Sequence, residues 1–287
     1  MAGTDDTGGI SMSTAPIARL ADERRLDVVK MDYHAHTGHI GGAMSCAEIL
    51  CTLYYGIMDI QKIKNRAPDR DRFILSKGHC AEMLYAVLCD CGFFPKAELE
   101  SYAAFHTKLA EHPTKKVNGV EIATGALGHG ASAGTGMALA LKMDKIPAHV
   151  YVLMGDGEQA EGSVWEAAMA AAKYKLDNLT YIIDRNRLQI SGNTEDVMPL
   201  DKLSEKYAAF GFEVTECNGH SVSELKKALS FRSEGKPVAV IANTVKGKGI
   251  SYMENKAEWH HTVPTKEQAA IAEQEITKRL EVSAYER

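Results

Sequence analysis

The stretch Gly155-Asp156-Gly157-Glu158-Gln159-Ala160-Glu161-Gly162, followed further on by Ile183-Asp184-Arg185-Asn186, decides how this chain reads. Ahead of it, Tyr151-Val152-Leu153-Met154 is a short apolar run of the kind that makes a buried strand, and Leu179-Thr180-Tyr181-Ile182-Ile183 is another. Between them, Ser163 to Lys175 is alanine-rich and amphipathic at helical spacing, with Trp165, Met169 and Tyr174 as its large side chains. In open parallel sheets ligands bind beyond the carboxyl ends of the strands, and here both strands end in polar groups. A carboxylate, Asp156, and a carboxamide, Asn186, at two such exits suit a small divalent cation carrying a diphosphate. Mg2+ takes about six oxygen ligands, one or two of them from side chains of this type. The glycines beside Asp156 allow close backbone approach to phosphate, and the following helix N-terminus favours negative charge. Gly-Asp-Gly alone is most often an ordinary turn; the spaced set carries the reading.

The chain has 287 residues, 45% hydrophobic and 25% charged, which is ordinary for a globular protein able to bury a substantial core. A net charge of -5 and a pI near 6.1 leave no basic footprint for nucleic acid or an anionic membrane surface. No apolar run approaches the roughly 18 residues needed to span a bilayer. The N-terminus lacks a basic segment followed by an apolar one, so a cytoplasmic protein is expected. The Gly/Thr/Ser/Asp-rich opening, Met1 to about Thr14, reads as a flexible leader (1–15), with one domain over 16–287. Cys46, Cys51, Cys80, Cys89, Cys91 and Cys217 form no CxxC pair and sit mostly in apolar, helix-like surroundings. Reduced, buried thiols are the expectation, and zinc is not.

Helical spacing recurs over Ile17–Met31, Ala47–Met58, Ala81–Cys91, Met137–Met143, Ser223–Leu229 and Glu267–Leu280. Strands are expected at Phe73–Leu75, His149–Met154, Leu179–Ile183, Glu213–Glu216 and Val238–Ala242. Strands alternating with helices define an α/β fold, a mostly parallel sheet with helices on both faces.

Histidine is abundant, and several stand beside glycine: His39 in Thr-Gly-His-Ile-Gly-Gly, His79 in Ser-Lys-Gly-His, His129 in Leu-Gly-His-Gly. His112 precedes proline, and His260-His261 precede Thr-Val-Pro. A single loop histidine is more often solvated or structurally bonded than catalytic. If these turns lie along one sheet edge, however, the imidazoles converge on one cleft, where they can donate to phosphate and sugar hydroxyls and move protons. Thr124-Gly125-Ala126-Leu127-Gly128 is either a flexible turn or a backbone that passes close to a flat ligand, with Leu127 as an apolar contact.

Taken together, Gly38-His39, Asp71 to His79, His112-Pro113, Thr124 to Gly128, the Gly-Asp-Gly to Asn segment, and Lys246-Gly247-Lys248-Gly249 with Trp259-His260 resemble the diphosphate-binding domain of transketolase. The agreement runs from about Ile17 to Pro264. The resemblance implies transfer of a two-carbon ketol unit from a ketose to an aldose, with thiamine diphosphate and Mg2+ as cofactors. It implies that Asp156, Asn186 and the Leu188 carbonyl hold Mg2+, and that Gly157 touches the diphosphate. His79, Lys246 and His260 would surround the diphosphate and the reacting carbon. His39 and His112 would bind substrate oxygens and assist proton transfer, Gly125 and Leu127 would line the cofactor, and Glu161 would join a carboxylate network between paired sites. The family has Gln at the position of His129 and Gly at that of His261; His260 and His261 both remain available to face the cofactor, His260 matching better because Trp259 precedes it. The family continues with a pyrimidine-binding domain and a C-terminal domain, whereas this chain ends at Arg287. The chain is therefore expected to be either a fragment or, the preferred reading, one subunit of a two-chain enzyme, a separate C-terminal subunit supplying the pyrimidine domain in an α2β2 heterotetramer. The rival expectations are the α subunit of a 2-oxo acid dehydrogenase and a non-catalytic regulatory subunit that keeps the fold.

Overall fold

The computed structural model describes residues 14–285. Of the expected leader, residues 1–13 lie outside that range, while Thr14 and Ala15 already belong to the first helix. In chain order the helices are α1 (Thr14–Ala35), α2 (Ile40–Ser45), α3 (Ala47–Gly56), α4 (Ile60–Lys64), α5 (Ala81–Asp90), α6 (His129–Met143), α7 (Gly162–Lys173), α8 (Thr194–Val197), α9 (Leu203–Ala209), α10 (Val222–Ser230) and α11 (Lys266–Tyr285). The strands are β1 (Arg72–Leu75), β2 (Val150–Gly155), β3 (Leu179–Arg185), β4 (Leu188–Gln189), β5 (Gly192–Asn193), β6 (Glu213–Asn218) and β7 (Val238–Asn243).

β1, β2, β3, β7 and β6 form one parallel sheet in that spatial order, and β4 pairs with β5 as a small antiparallel ribbon just past the end of β3. Side-chain alternation divides the core in two. Phe73, Leu75, Tyr151, Leu153, Ile182, Val238 and Val240 join the face covered by α1, α3, α5, α10 and α11. Ile74, Val150, Val152, Met154, Tyr181, Ile183 and Ile241 join the face covered by α6, α7 and α9. A strand buried on both faces reads as an unbroken apolar run, which is why Tyr151–Met154 carries no polar alternation.

Every expected strand and helix is present, within a few residues at each end except that α6 begins at His129, eight residues before Met137, through a glycine-rich first half. The elements without a sequence signal are short. α4, α8, α9, β4 and β5 span seven residues or fewer, too few to show a period. The Ile40-Gly41-Gly42 run, which reads as a turn, is helix α2. Its glycines are there for close packing: a Cβ on Gly41 would stand 2.5 Å from the Trp259 carbonyl oxygen, and one on Gly42 would stand 2.7 Å from Cys80 Sγ. The six cysteines are unpaired, and all but Cys91 are buried. Among the described residues, no helix is long and apolar enough to cross a membrane.

Candidate active site

Beyond the carboxyl ends of β1, β2 and β3 lies a cavity of about 360 Å3. His79, Gly125, Leu127, Asp156, Gly157, Glu161, Asn186, Leu188, Lys246 and His260 all line it. Of the residues expected in the site, only His39 and His112 are absent from its wall, and both stand against it. The rings of His39 and His79 are 5.3 Å apart, and those of His39 and His112 are 5.9 Å apart.

One end of the cleft is built from strand exits. Asp156 is buried; its Oδ1 accepts the Gly157 N–H at 2.8 Å, and its Oδ2 accepts the Arg187 N–H at 2.5 Å and Arg185 Nη1 at 3.1 Å. Burial, then the Asp184 charge, raise the Asp156 carboxyl above its ordinary range, and Arg185 works against that rise. Asn186 Oδ1 accepts the Leu188 N–H at 3.1 Å, and the Leu188 carbonyl accepts Lys246 Nζ at 3.3 Å. A carboxylate, a carboxamide and a backbone carbonyl, all hard oxygen donors, thus face one space.

The other end is a histidine cluster. His79 and His260 stack at 5.2 Å with planes 26° apart, and His39 also lies 5.7 Å from His260 and 4.5 Å from His261. Only His79 leaves a strand; His39 sits between α1 and α2, His112 in a long loop, and His260 in a 3-10 turn, Ala257–His260. The imidazoles do converge, but not by way of a common kind of junction. His260 faces the cleft, with Nδ1 2.7 Å from Lys246 Nζ, while His261 is exposed beside His39. An ammonium has only protons to offer, so His260 Nδ1 is an acceptor. Burial and the neighbouring His261 and His112 push His39 down to about 4. Burial and Lys246 push His260 down to about 3. Burial and Lys77 lower His79 well below the usual histidine range. Lys246 itself is brought down to about 8 by burial and Lys77. At neutral pH these rings are uncharged, each able both to donate and to accept.

Three buried side chains inside the quoted motifs, none of them given a role from the sequence, hold the ends together. Glu158 accepts from the Gly128 N–H at 2.8 Å, the Gly155 N–H at 3.0 Å and Ser76 Oγ, pinning the β1 exit, the β2 exit and the turn before α6 to one carboxylate. Lys77 Nζ donates to Asp184 Oδ2 and, at 3.0 Å, to the Gly42 carbonyl. Burial opposes both charges of that pair, yet Asp184 keeps Lys77 well above its ordinary value and Lys77 keeps Asp184 below its own. Ser45 Oγ at 2.6 Å and Thr244 Oγ1 complete the carboxylate. A signal for Asp184 is present in the sequence, as an aspartate and an arginine closing an otherwise apolar strand in Ile183-Asp184-Arg185.

This arrangement is that of a parallel-sheet domain with a diphosphate-type cleft. Over 93% of its length the chain superposes on the transketolase of Campylobacter jejuni with a TM-score of 0.85 and 30% identity, spanning 43% of that longer chain. Residues 18–280 match the family described as transketolase, thiamine diphosphate binding domain. The chain belongs to the transketolase family. It is 49% identical over 265 residues to one of the subunits of apulose-4-phosphate transketolase from Phocaeicola vulgatus, covering 91% of this chain and 94% of that one. It is 42% identical over 243 residues to 6-deoxy-6-sulfo-D-fructose transketolase subunit SqwG of a Clostridium species, covering 83% and 88% respectively.

Proposed function

We propose that this chain is the diphosphate-binding subunit of a two-chain transketolase. With a separate subunit carrying the pyrimidine-binding domain, assembled as α2β2 in the cytoplasm, it moves a two-carbon ketol unit from a ketose to an aldose. The single observation that carries the reading is the convergence of Asp156, Asn186, Leu188, Lys246 and His260 on one cleft from separate parts of the chain.

The residues present fit both expected groups. Asp156, Asn186 and the Leu188 carbonyl form an all-oxygen donor set of the kind Mg2+ prefers, leaving room for phosphate and water. Gly155 has nothing within 4 Å of where a Cβ would stand, so the backbone there can lie directly against a diphosphate. His39 Nδ1 is buried with no hydrogen-bond partner, an orphan that a bound sugar or cofactor oxygen would satisfy. Bound thiamine diphosphate supplies the electron sink for breaking the ketose carbon–carbon bond.

The protein's part is binding and proton handling. Asp156, Asn186 and Leu188 hold the cation, while Gly157, Lys246 and His79 hold the diphosphate arm. Gly125 and Leu127 line the flat part of the ligand, and Glu161 faces its counterpart across paired sites. His39, His112 and His260 take and return protons at the substrate oxygens, His39 and His260 being kept neutral. The two relatives are named for apulose 4-phosphate and 6-deoxy-6-sulfo-D-fructose, so we infer an anionic ketose, phosphorylated or sulfonated, as donor.

Purified alone, the chain is expected to show no ketol transfer from such donors, and adding the partner subunit with thiamine diphosphate and Mg2+ should restore it. Full turnover by the chain without any partner would refute the two-chain reading.

A further inference from the structure

The proposed cation donors already hold cations of the protein's own. Arg185 Nη1 lies 3.1 Å from Asp156 Oδ2, and Lys246 Nζ lies 3.3 Å from the Leu188 carbonyl oxygen. Asp156 is the only carboxylate in the donor set. Its charge is therefore offset before any metal arrives. Glu158, another carboxylate in the lining, is turned onto Ser76 and the Gly128 and Gly155 amides and is not free to compensate.

The two stand-ins are held differently. Arg185 is buried; the Nη1 that meets Asp156 also donates to Thr194 Oγ1 at 2.7 Å, and Nη2 donates to Glu195 Oε1 at 2.5 Å, so it is held by other partners when a metal binds. Its contact is with Oδ2, whereas Oδ1 accepts only the Gly157 N–H and keeps a lone pair for a ligand. Lys246 makes its shorter contact, 2.7 Å, with His260 Nδ1 and its longer one with Leu188, so its hold on the carbonyl is the one to break. A bare divalent cation would have to displace an ammonium and remain beside a guanidinium. A cation arriving with a diphosphate gives the displaced ammonium an anion to bind and removes the repulsion.

We propose that Arg185 and Lys246 are stand-in cations that keep the donor set in its ligating arrangement while empty and reject a free divalent ion, so that metal and diphosphate enter together. The proposal rests on Asp156, Asn186 and Leu188 being the metal donors.

The test is Mn2+ binding to the full-length chain, read by electron paramagnetic resonance, with and without inorganic pyrophosphate. Wild type should bind Mn2+ about tenfold more tightly when pyrophosphate is present, a coupling within the ordinary range. Arg185→Met should bind Mn2+ alone about tenfold better than wild type, shrinking that coupling, and Arg185→Lys should restore the wild-type pattern. Lys246→Met should move free Mn2+ affinity in the same direction, so the proposal stays open to refutation if Arg185→Met does not fold. A folded Arg185→Met or Lys246→Met chain that binds free Mn2+ no better than wild type overturns the proposal. Asp156→Asn tests the underlying reading: Mn2+ binding that survives it with pyrophosphate sinks the donor assignment, whatever the other variants show.

Discussion

The proposed cation end of the cleft and the histidine end are held in different ways. At the cation end, Asp156 and Asn186 follow adjacent strands, β2 and β3, whose ladder sets their separation, and backbone amides fix the carboxylate. At the histidine end, His39, His79, His112 and His260 come from four distant segments and meet through ring contacts of 5.2 to 5.9 Å. The central ring's backbone, at His39, is tied through its N–H to Glu82 Oε1 at 2.8 Å and through its carbonyl to the Gly42 and Ala43 amides at 3.1 and 3.2 Å, and His260 is tied to Lys246 Nζ at 2.7 Å. The first end presents fixed charge on a rigid frame, whereas the second presents imidazoles, of which His39, His79 and His260 are kept neutral by burial and neighbouring basic groups. That division suits the proposed function, in which one end would grip a charged tail and the other exchange protons.

The sharpest way to break the comparison is at the pair beneath both ends. Lys77 precedes the His79 turn and Asp184 precedes Asn186, and their salt bridge is fully buried. Asp184→Ala would leave Lys77 charged and unpaired in the core. Losing one partner of a buried pair costs about 3–5 kcal/mol, so the urea midpoint of the chain should fall accordingly. A loss under about 1 kcal/mol would mean that water reaches the pair, as at a surface bridge.

The next test separates function from frame. His79→Ala should lower turnover of the reconstituted enzyme by about 100-fold, the scale of a misplaced group beside the reacting centre. Its melting temperature should drop by only a few degrees, about 1 kcal/mol for a chain of this size. His261→Ala, at an exposed ring beyond His39, should leave turnover within about threefold of wild type, as surface substitutions usually do. Equal losses for the two variants would dissolve the distinction between the cleft-facing rings and their neighbour.

A pH scan sharpens the contrast further. An unfolded histidine titrates near 6.5, whereas folded His39 titrates near 4, so between those values the unfolded chain takes a proton that the folded chain refuses. Stability from this ring is complete above pH 6.5 and is lost as pH falls toward 4. Glu82 runs the other way: burial pushes it up to about 7 from 4.5, so its contribution is present below pH 4.5 and lost as pH rises through 7. The informative quantity is therefore the difference between wild type and His39→Gln. The variant should lose less stability than wild type from pH 6.5 to 4; parallel curves would mean that the folded ring titrates normally.

The same contrast explains what could be read in advance. The cation end is legible because its residues sit at the ends of apolar runs, so the strand pattern alone places them at one sheet edge. The histidine end is legible only as a resemblance, since no local pattern says that His39, after a helix, meets His260 from the far end of the chain. α2 is hidden because glycine reads as a turn signal, whereas Gly41 and Gly42 serve helix packing against Trp259 and Cys80. Glu158 and Asp184 are in plain view as residues, but their work is to receive hydrogen bonds from other segments, which is a tertiary property.

The smallest expected effect falls on the departure that stands out most in the sequence, His129 where the family has Gln. The ring opens α6 and is exposed, and its one contact is Nδ1 to the Leu127 carbonyl at 3.2 Å, within the turn itself. A glutamine amide can donate to the same carbonyl, so no buried group loses a partner. Stability of His129→Gln should therefore stay within about 0.5 kcal/mol of wild type. Cofactor affinity of the assembled enzyme should stay within about threefold, because Leu127, not residue 129, lines the cleft. A tenfold change in that affinity, measured by calorimetry with thiamine diphosphate and Mg2+, would show that the ring turns inward when the partner chain closes over the site. The histidine end would then extend across the glycine-rich turn to meet the partner.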